Sequence, residues 1–211
     1  METAPRVLTS TIEPEDQARA DFYALLSRLY GAAPDAALLA AIAGADELPP
    51  GPESGAGHDF AEAWHALIAA SAVMVPEAAA AEYQELFIGV GQSEVDLHGS
   101  AYAKGASGKP LLVDIREALV PLGLARQAGA TMFEDHLAAV CETMRVLITG
   151  AGGAEVFAVA QQRRFFDNNI APWVFACCNA IKAKTVANYY RRVAQLTDSF
   201  MALERDSFAI E

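Results

Sequence analysis

The sequence predicts an all-α protein, a single bundle of about nine helices in one domain over residues 1–211. Three observations lead there. Apolar residues return every three or four positions in stretch after stretch, the spacing of helices with one buried face. Proline followed by acid opens several of these stretches and glycine closes them, as helix ends require. No pair of alternating runs suggests a strand hairpin, and no segment repeats. The expected organisation is N-terminal helices over about 1–90, a mid-chain loop over about 89–110 and C-terminal helices over about 110–211.

The elements follow in order. Pro14-Glu15-Asp16 suits a first helical turn, with Phe22, Leu25, Leu26 and Leu29 on one stripe and Gly31 as the stop. Pro34-Asp35 starts a short alanine-leucine helix that ends at Gly44. Residues 46–57 hold three prolines and three glycines and read as a loop. A third helix turns Phe60, Trp64, Leu67, Ile68 and Ser71 inward, and a fourth runs from Pro76 through Tyr83 and Phe87 to Gly89. The glycine-rich stretch 89–110, with His98 and Tyr102, is the longest mid-chain loop, and loops of this length usually carry function or mobility. Helices resume at Pro110, with Leu112, Ile115, Leu119 and Leu122. One more is expected from Thr131 to about Thr149, and another carries Val156, Phe157, Phe165 and Phe166. Pro172-Trp173 starts a helix reaching about Ala187, and a last one carries Tyr189, Tyr190, Val193, Leu196 and Phe200.

Composition narrows the function. Hydrophobic residues make up 53% of the chain, enough for a large core. Acids outnumber bases 27 to 15, a formal charge of −12 that is the wrong sign for nucleic-acid binding. It favours a basic partner instead, or serves solubility alone. Of the three cysteines, Cys177 and Cys178 are adjacent, and no Cys/His spacing resembles a zinc site. A reduced, cytoplasmic protein is expected. No signal peptide is visible in Met1–Arg6, and the alanine-rich runs are broken before about 18 residues, too short to span a bilayer.

Three segments carry candidate sites. The first is Thr131-Met132-Phe133-Glu134-Asp135-His136, followed by Cys141-Glu142-Thr143-Met144. Thr131 and Glu134 have the spacing of a capping box, and Asp135 and Glu142, seven residues apart, would share a helix face. These polar groups either decorate a helix start or touch a partner. The four histidines form neither an HExxH nor an ExxH pair, and no nucleophile with a positioned base is evident. The second segment, Gln161 to Trp173, brings Phe165, Phe166 and Trp173 around Pro172, which bends the chain. A packed corner explains it as well as a site does. The third runs from Glu82 through Tyr83 and Phe87 to Gly91 and on to His98-Gly99-Ser100-Ala101-Tyr102, without a phosphate-binding loop.

Together these segments resemble the TorD/DmsD family of molybdoenzyme chaperones, the redox-enzyme maturation proteins. The shared features are a Tyr-x-x-Leu-Phe-x-Gly helix end (Tyr83, Leu86, Phe87, Gly89) and a Gly/Glu-Ser-x-Tyr loop (Gly99, Ser100, Tyr102). A Glu-x-Asp-His-like helix start precedes Glu-x-Met (Glu134, Asp135 and His136, then Glu142, Thr143 and Met144). A Phe-x-x-x-His-x-x-Pro-Trp corner appears as Phe165, Asn169, Pro172 and Trp173. The likeness covers roughly residues 80–175. Two departures stand out. Glu94-Val95-Asp96-Leu97-His98 replaces the prolines that often precede the loop, and Asn169 replaces a histidine, so that corner cannot titrate.

The resemblance implies a cytoplasmic, client-specific chaperone rather than an enzyme. It would bind an immature molybdoenzyme subunit, its twin-arginine signal peptide, or both. It would assist molybdopterin cofactor insertion and prevent premature export. The client would be a formate dehydrogenase or a related reductase. No resident cofactor is implied; a weak guanine-nucleotide contact or a transient molybdopterin contact is. The binding residues it implies are Tyr83, Phe87, Ser100, Tyr102, Glu134, Asp135, His136, Glu142, Pro172 and Trp173. An acidic rim beside an apolar groove suits a leader that is basic and then apolar. A GTP-binding or GTP-hydrolysing maturation factor and a stable accessory subunit of the redox enzyme remain as alternatives. Monomer and homodimer, the latter by segment exchange, are both open.

Overall fold

Pro14, Glu15 and Asp16 do begin the first helix: α1 spans Pro14–Gly31, with proline and two acids in the first turn, where a missing N–H and negative charge fit best. The structure, a computed structural model, describes residues 12–49, 53–89, 93–126, 129, 131–150 and 156–210. Among these lie eight further helices: α2 (Ala36–Ala43), α3 (Ala56–Val73), α4 (Pro76–Tyr83), α5 (Leu111–Leu119), α6 (Leu137–Thr149), α7 (Val159–Asn169), α8 (Val174–Lys182) and α9 (Tyr189–Ile210). A π-helical turn, Gln84–Ile88, extends α4, and 3₁₀ turns cover Gly99–Ala101 and Val120–Leu122. The described residues contain no strand, only two isolated bridges, so the all-α bundle expected from the sequence is the fold found.

α1 packs on α6, α3 on α9, α8 on α9 and α2 on α3. Their shared core holds Tyr23, Leu26, Leu29, Met144, Leu147, Val193 and Leu196, all fully buried. Each large apolar side chain removed from water in this way contributes about 1.5–3 kcal/mol. Phe22 and Leu25, expected on the buried stripe of α1, are half-buried, because Tyr23 and Tyr30 turn to the centre instead. Phe22 meets Phe60 and Trp64 of α3 edge-on, at 4.8 and 5.2 Å between ring centres. Cys141, Cys177 and Cys178 are free thiols sealed in this core, and burial pushes the thiol of Cys177 up to about 12.

Polar side chains close the helix ends inside the bundle. The last-turn carbonyls of α1 accept tyrosine hydroxyls, Leu29 from Tyr190 at 3.0 Å and Tyr30 from Tyr83 at 3.1 Å. The Glu82 carboxylate accepts the N–H groups of Asn188 (2.8 Å), Tyr189 (3.0 Å) and Tyr190 (2.7 Å), and so caps α9 from another helix. At the far end, Arg19 reaches Glu204 at 2.7 and 2.9 Å, and Tyr23 donates to the same carboxylate at 3.0 Å. α1 and α9 are therefore antiparallel.

Several boundaries differ from expectation. α6 begins at Leu137 rather than Thr131, because Leu137 N–H is taken by Leu97 across the mid-chain loop. α7 begins at Val159, leaving Val156 and Phe157 in the approach to it, with Phe157 N–H held by Leu147. α8 begins after Trp173 and ends at Lys182, because Ala183 and Lys184 close its last turn. Ala56 and Gly57, placed in the loop by sequence, open α3. Val90, Gly91 and the glycines 152–153 lie outside the described residues. No single described helix is long and apolar enough to cross a membrane.

Candidate functional site

The three segments singled out by sequence meet at one end of the bundle. The mid-chain loop runs antiparallel to the turn before α6. Gly99 N–H donates to Asp135 O at 2.8 Å, Leu137 N–H to Leu97 O at 2.9 Å, and His98 bridges to His136. The Asp135 carboxylate accepts Ser100 N–H at 3.2 Å, at the start of the 3₁₀ turn. The Trp173 corner completes the junction. A Cβ on Gly99 would lie 2.5 Å from Leu111 and 2.6 Å from the Trp173 ring, so only glycine fits between α5 and that indole. Tyr102 stacks on Trp173 at 6.3 Å, with its hydroxyl on Asp96 O at 2.8 Å. The indole N–H reaches Asn169 O at 2.7 Å.

His136, not Thr131, caps α6. Its backbone is extended, and its Nδ1 accepts Ala138 N–H at 3.1 Å, so the neutral ring carries its proton on Nε2. The expected Thr131–Glu134 capping box is absent, because the helix starts after both residues. Glu134 turns away to Arg116 at 3.0 Å. Desolvation works against the Glu134 carboxylate, but the Arg116 hydrogen bond outweighs it and holds the group below the usual range. Burial, with His98 beside it, pushes His136 down to about 4, which keeps the ring neutral as a cap. The two imidazoles stand edge to face at 5.0 Å, and His98 Nδ1 contacts Asp96 at 2.7 Å.

The expected shared face of Asp135 and Glu142 is not formed either. Asp135 lies ahead of the helix, so the seven-residue spacing has no helical meaning. Its residue is 2% exposed and faces inward, whereas Glu142 is exposed and forked onto Arg145 at 2.7 and 2.8 Å. Trp173 is wholly buried. Tyr83 and Phe87 belong to a separate aromatic group with Tyr30 and Tyr190. What reaches solvent at the junction is Ser100, Pro172, half of Tyr102 and Phe133, which is 48% exposed under the Arg126 guanidinium at 5.6 Å. The surface there is of mixed charge, not an acidic rim: Asp96 faces His98, and Glu134 faces Arg116. The nearest concavity is a groove between α5 and α7 that shares Asn169 with the corner.

Glu82 and Arg116 organise this end of the molecule and were not singled out by sequence. A signal for Glu82 was present. It sits with Ala79, Tyr83 and Leu86 on the buried stripe of its helix, where a carboxylate needs partners. Nothing comparable marks Arg116. Among the described residues, no group of three or more His, Cys, Asp or Glu side chains is placed to hold a metal ion.

An all-α bundle with these motifs joined at one end defines the class of maturation chaperones for molybdoenzymes. Residues 54–179, more than half of the chain, match the family described as nitrate reductase delta subunit, and the chain belongs to that family. The match runs from the loop before α3 into α8 and includes all three converging segments. The family is of the TorD type, and its partner is in general a molybdoenzyme subunit. No curated protein matches the sequence.

Proposed function

We propose that this chain is a cytoplasmic chaperone without turnover that holds the unfinished catalytic subunit of one molybdoenzyme, by its mature body, its twin-arginine leader, or both. Release follows insertion of the molybdopterin cofactor, so export waits for assembly. The observation that supports this reading best is the junction itself. Three segments far apart in sequence are locked together by main-chain hydrogen bonds, and the lock leaves Phe133 standing out of an otherwise polar surface. A rigidly held aromatic side chain with a polar surround is how binding surfaces anchor a partner.

The roles then divide. Asp135, His136 and Trp173 position the junction. Phe133, Ser100, Tyr102, Glu134 and Pro172 present its surface. Glu142, Tyr83 and Phe87 lie to the side and support the helices. In a strain lacking this chain, molybdoenzyme activity should be lost and should return with the wild-type protein. Phe133→Ala should fold normally and restore little activity. Full activity in the deletion strain would overturn the reading.

A further inference from the structure

A groove of about 420 Å³ opens between α5 and α7. Asp114, Glu117 and Ala118 recur at helical spacing along one wall, and Gln161, Arg164 and Phe165 along the other. Two helices thus face each other stripe to stripe without filling the space between them. Leu111 and Trp173 both meet Gly99, which places the start of α5 beside the end of α7. The groove therefore changes character along its length. Toward Gly99 it presents the carboxylates of Asp114 and Glu117 together with Asn169. Away from it come Ala118, Pro121 and Leu122, with Arg164 opposite.

Asn169 marks the polar end as incomplete. Its residue is 3% exposed and its Nδ2 donates to Phe165 O at 3.1 Å, but its Oδ1 accepts no hydrogen bond from any described residue. Buried acceptors normally find a donor. Asp114 is already held by the Ser107 N–H and hydroxyl. Glu117 is held only by Lys109, at 2.8 Å, with both side chains about half exposed. Such a pair exchanges easily for another cation. Arg164 has no ion pair among the described residues.

We infer that the groove between α5 and α7 seats a short segment of the client polypeptide that carries a lysine or arginine at the Asn169 end and apolar side chains along Ala118, Pro121 and Leu122. The inference rests on the chaperone reading and adds a seat to the surface around Phe133. Acceptors at one end, apolar walls at the other and a net charge of −12 all select that pattern.

The probe is a fluorescein-labelled synthetic peptide of twelve residues, two arginines followed by an apolar run, titrated with the full chain and read by fluorescence anisotropy. A control peptide carries glutamates in place of the arginines. The basic peptide should bind and the control should not. Glu117→Gln should weaken binding by about tenfold, and Lys109→Ala, which frees that carboxylate, should tighten it about threefold. Ala118→Trp should abolish it by filling the groove. A gain in Lys109→Ala cannot come from damage to the fold, so the test stands even if Ala118→Trp is poorly folded. Equal binding of both peptides, or indifference to Glu117→Gln and Lys109→Ala, overturns the inference. A wild-type dimer that Ala118→Trp dissociates also overturns it, since the occupant is then a second copy. If the deletion strain regains full activity with Glu117→Gln and Ala118→Trp, the groove is not used by the client, while the chaperone reading stands.

Discussion

Removing the Glu82 side chain tests whether one carboxylate joins two distant parts of the chain. It accepts three N–H groups at 2.7–3.0 Å at the start of α9. Asn188 is exposed, so water can replace the carboxylate there, but Tyr189 and Tyr190 are buried. Each buried N–H left without an acceptor costs about 1–3 kcal/mol. Losing a negative charge at a helix N-terminus adds about 0.3–1 kcal/mol. Relief from burying a carboxylate offsets part of this, so Glu82→Ala should lose about 3–4 kcal/mol net, a large share of the 5–15 kcal/mol typical of a folded domain. Glu82→Gln keeps one acceptor oxygen. Asn188 and Tyr190 both use Oε1, so that variant strands chiefly Tyr189 and should lose about 1–3 kcal/mol. Urea unfolding followed by far-ultraviolet circular dichroism reads both, as a lower midpoint at unchanged slope. An alanine variant within about 0.5 kcal/mol of wild type would refute the reasoning, because surface substitutions alone stay inside that range.

Three more outcomes are expected. His136 titrates near 4 when folded and about 6.5 when unfolded, so its stabilisation is complete above about pH 6.5 and fades as pH falls toward 4. Up to about 3 kcal/mol should disappear over that window, and His136→Asn should flatten that part of the stability–pH curve; an unchanged curve rejects the neutral-cap role. Gly99→Ala should lower stability by about 1–3 kcal/mol through overpacking against Leu111 and Trp173, measured by thermal melting, and a neutral result would contradict the close approach. Arg19→Ala strands Glu204, which is 2% exposed, and should cost about 3–5 kcal/mol in denaturant titration, whereas Thr131→Ala, which caps nothing, should change stability by less than about 0.5 kcal/mol.

Helices were legible because their signal is local. Pro14, Pro76 and Gly31 punctuate the chain by their own backbone limits, and the stripe Phe60, Trp64, Leu67 and Ser71 is buried as its spacing predicts. The start of α6 was not legible. Thr131 and Glu134 have a correct capping pattern, but a bond from a residue about 40 positions earlier, Leu97, decides where the helix begins. The candidate site divides the same way. Motif spacing marked the segments that meet, but not which way their side chains turn. Asp135 and Trp173 look like contact residues in sequence and lie inward in space, while Phe133, read as part of a helix start, is the side chain left outside.

The three sealed thiols give the molecule an internal clock. Cys141, Cys177 and Cys178 belong to α6 and α8, on both sides of α9, and show no surface to solvent. A thiol must become a thiolate and meet its reagent before it reacts, so alkylation waits for the helices to part. The pace of labelling under native conditions therefore reports how often the bundle opens. A client that clamps the helices should slow all three cysteines, and one that pries them apart should quicken them.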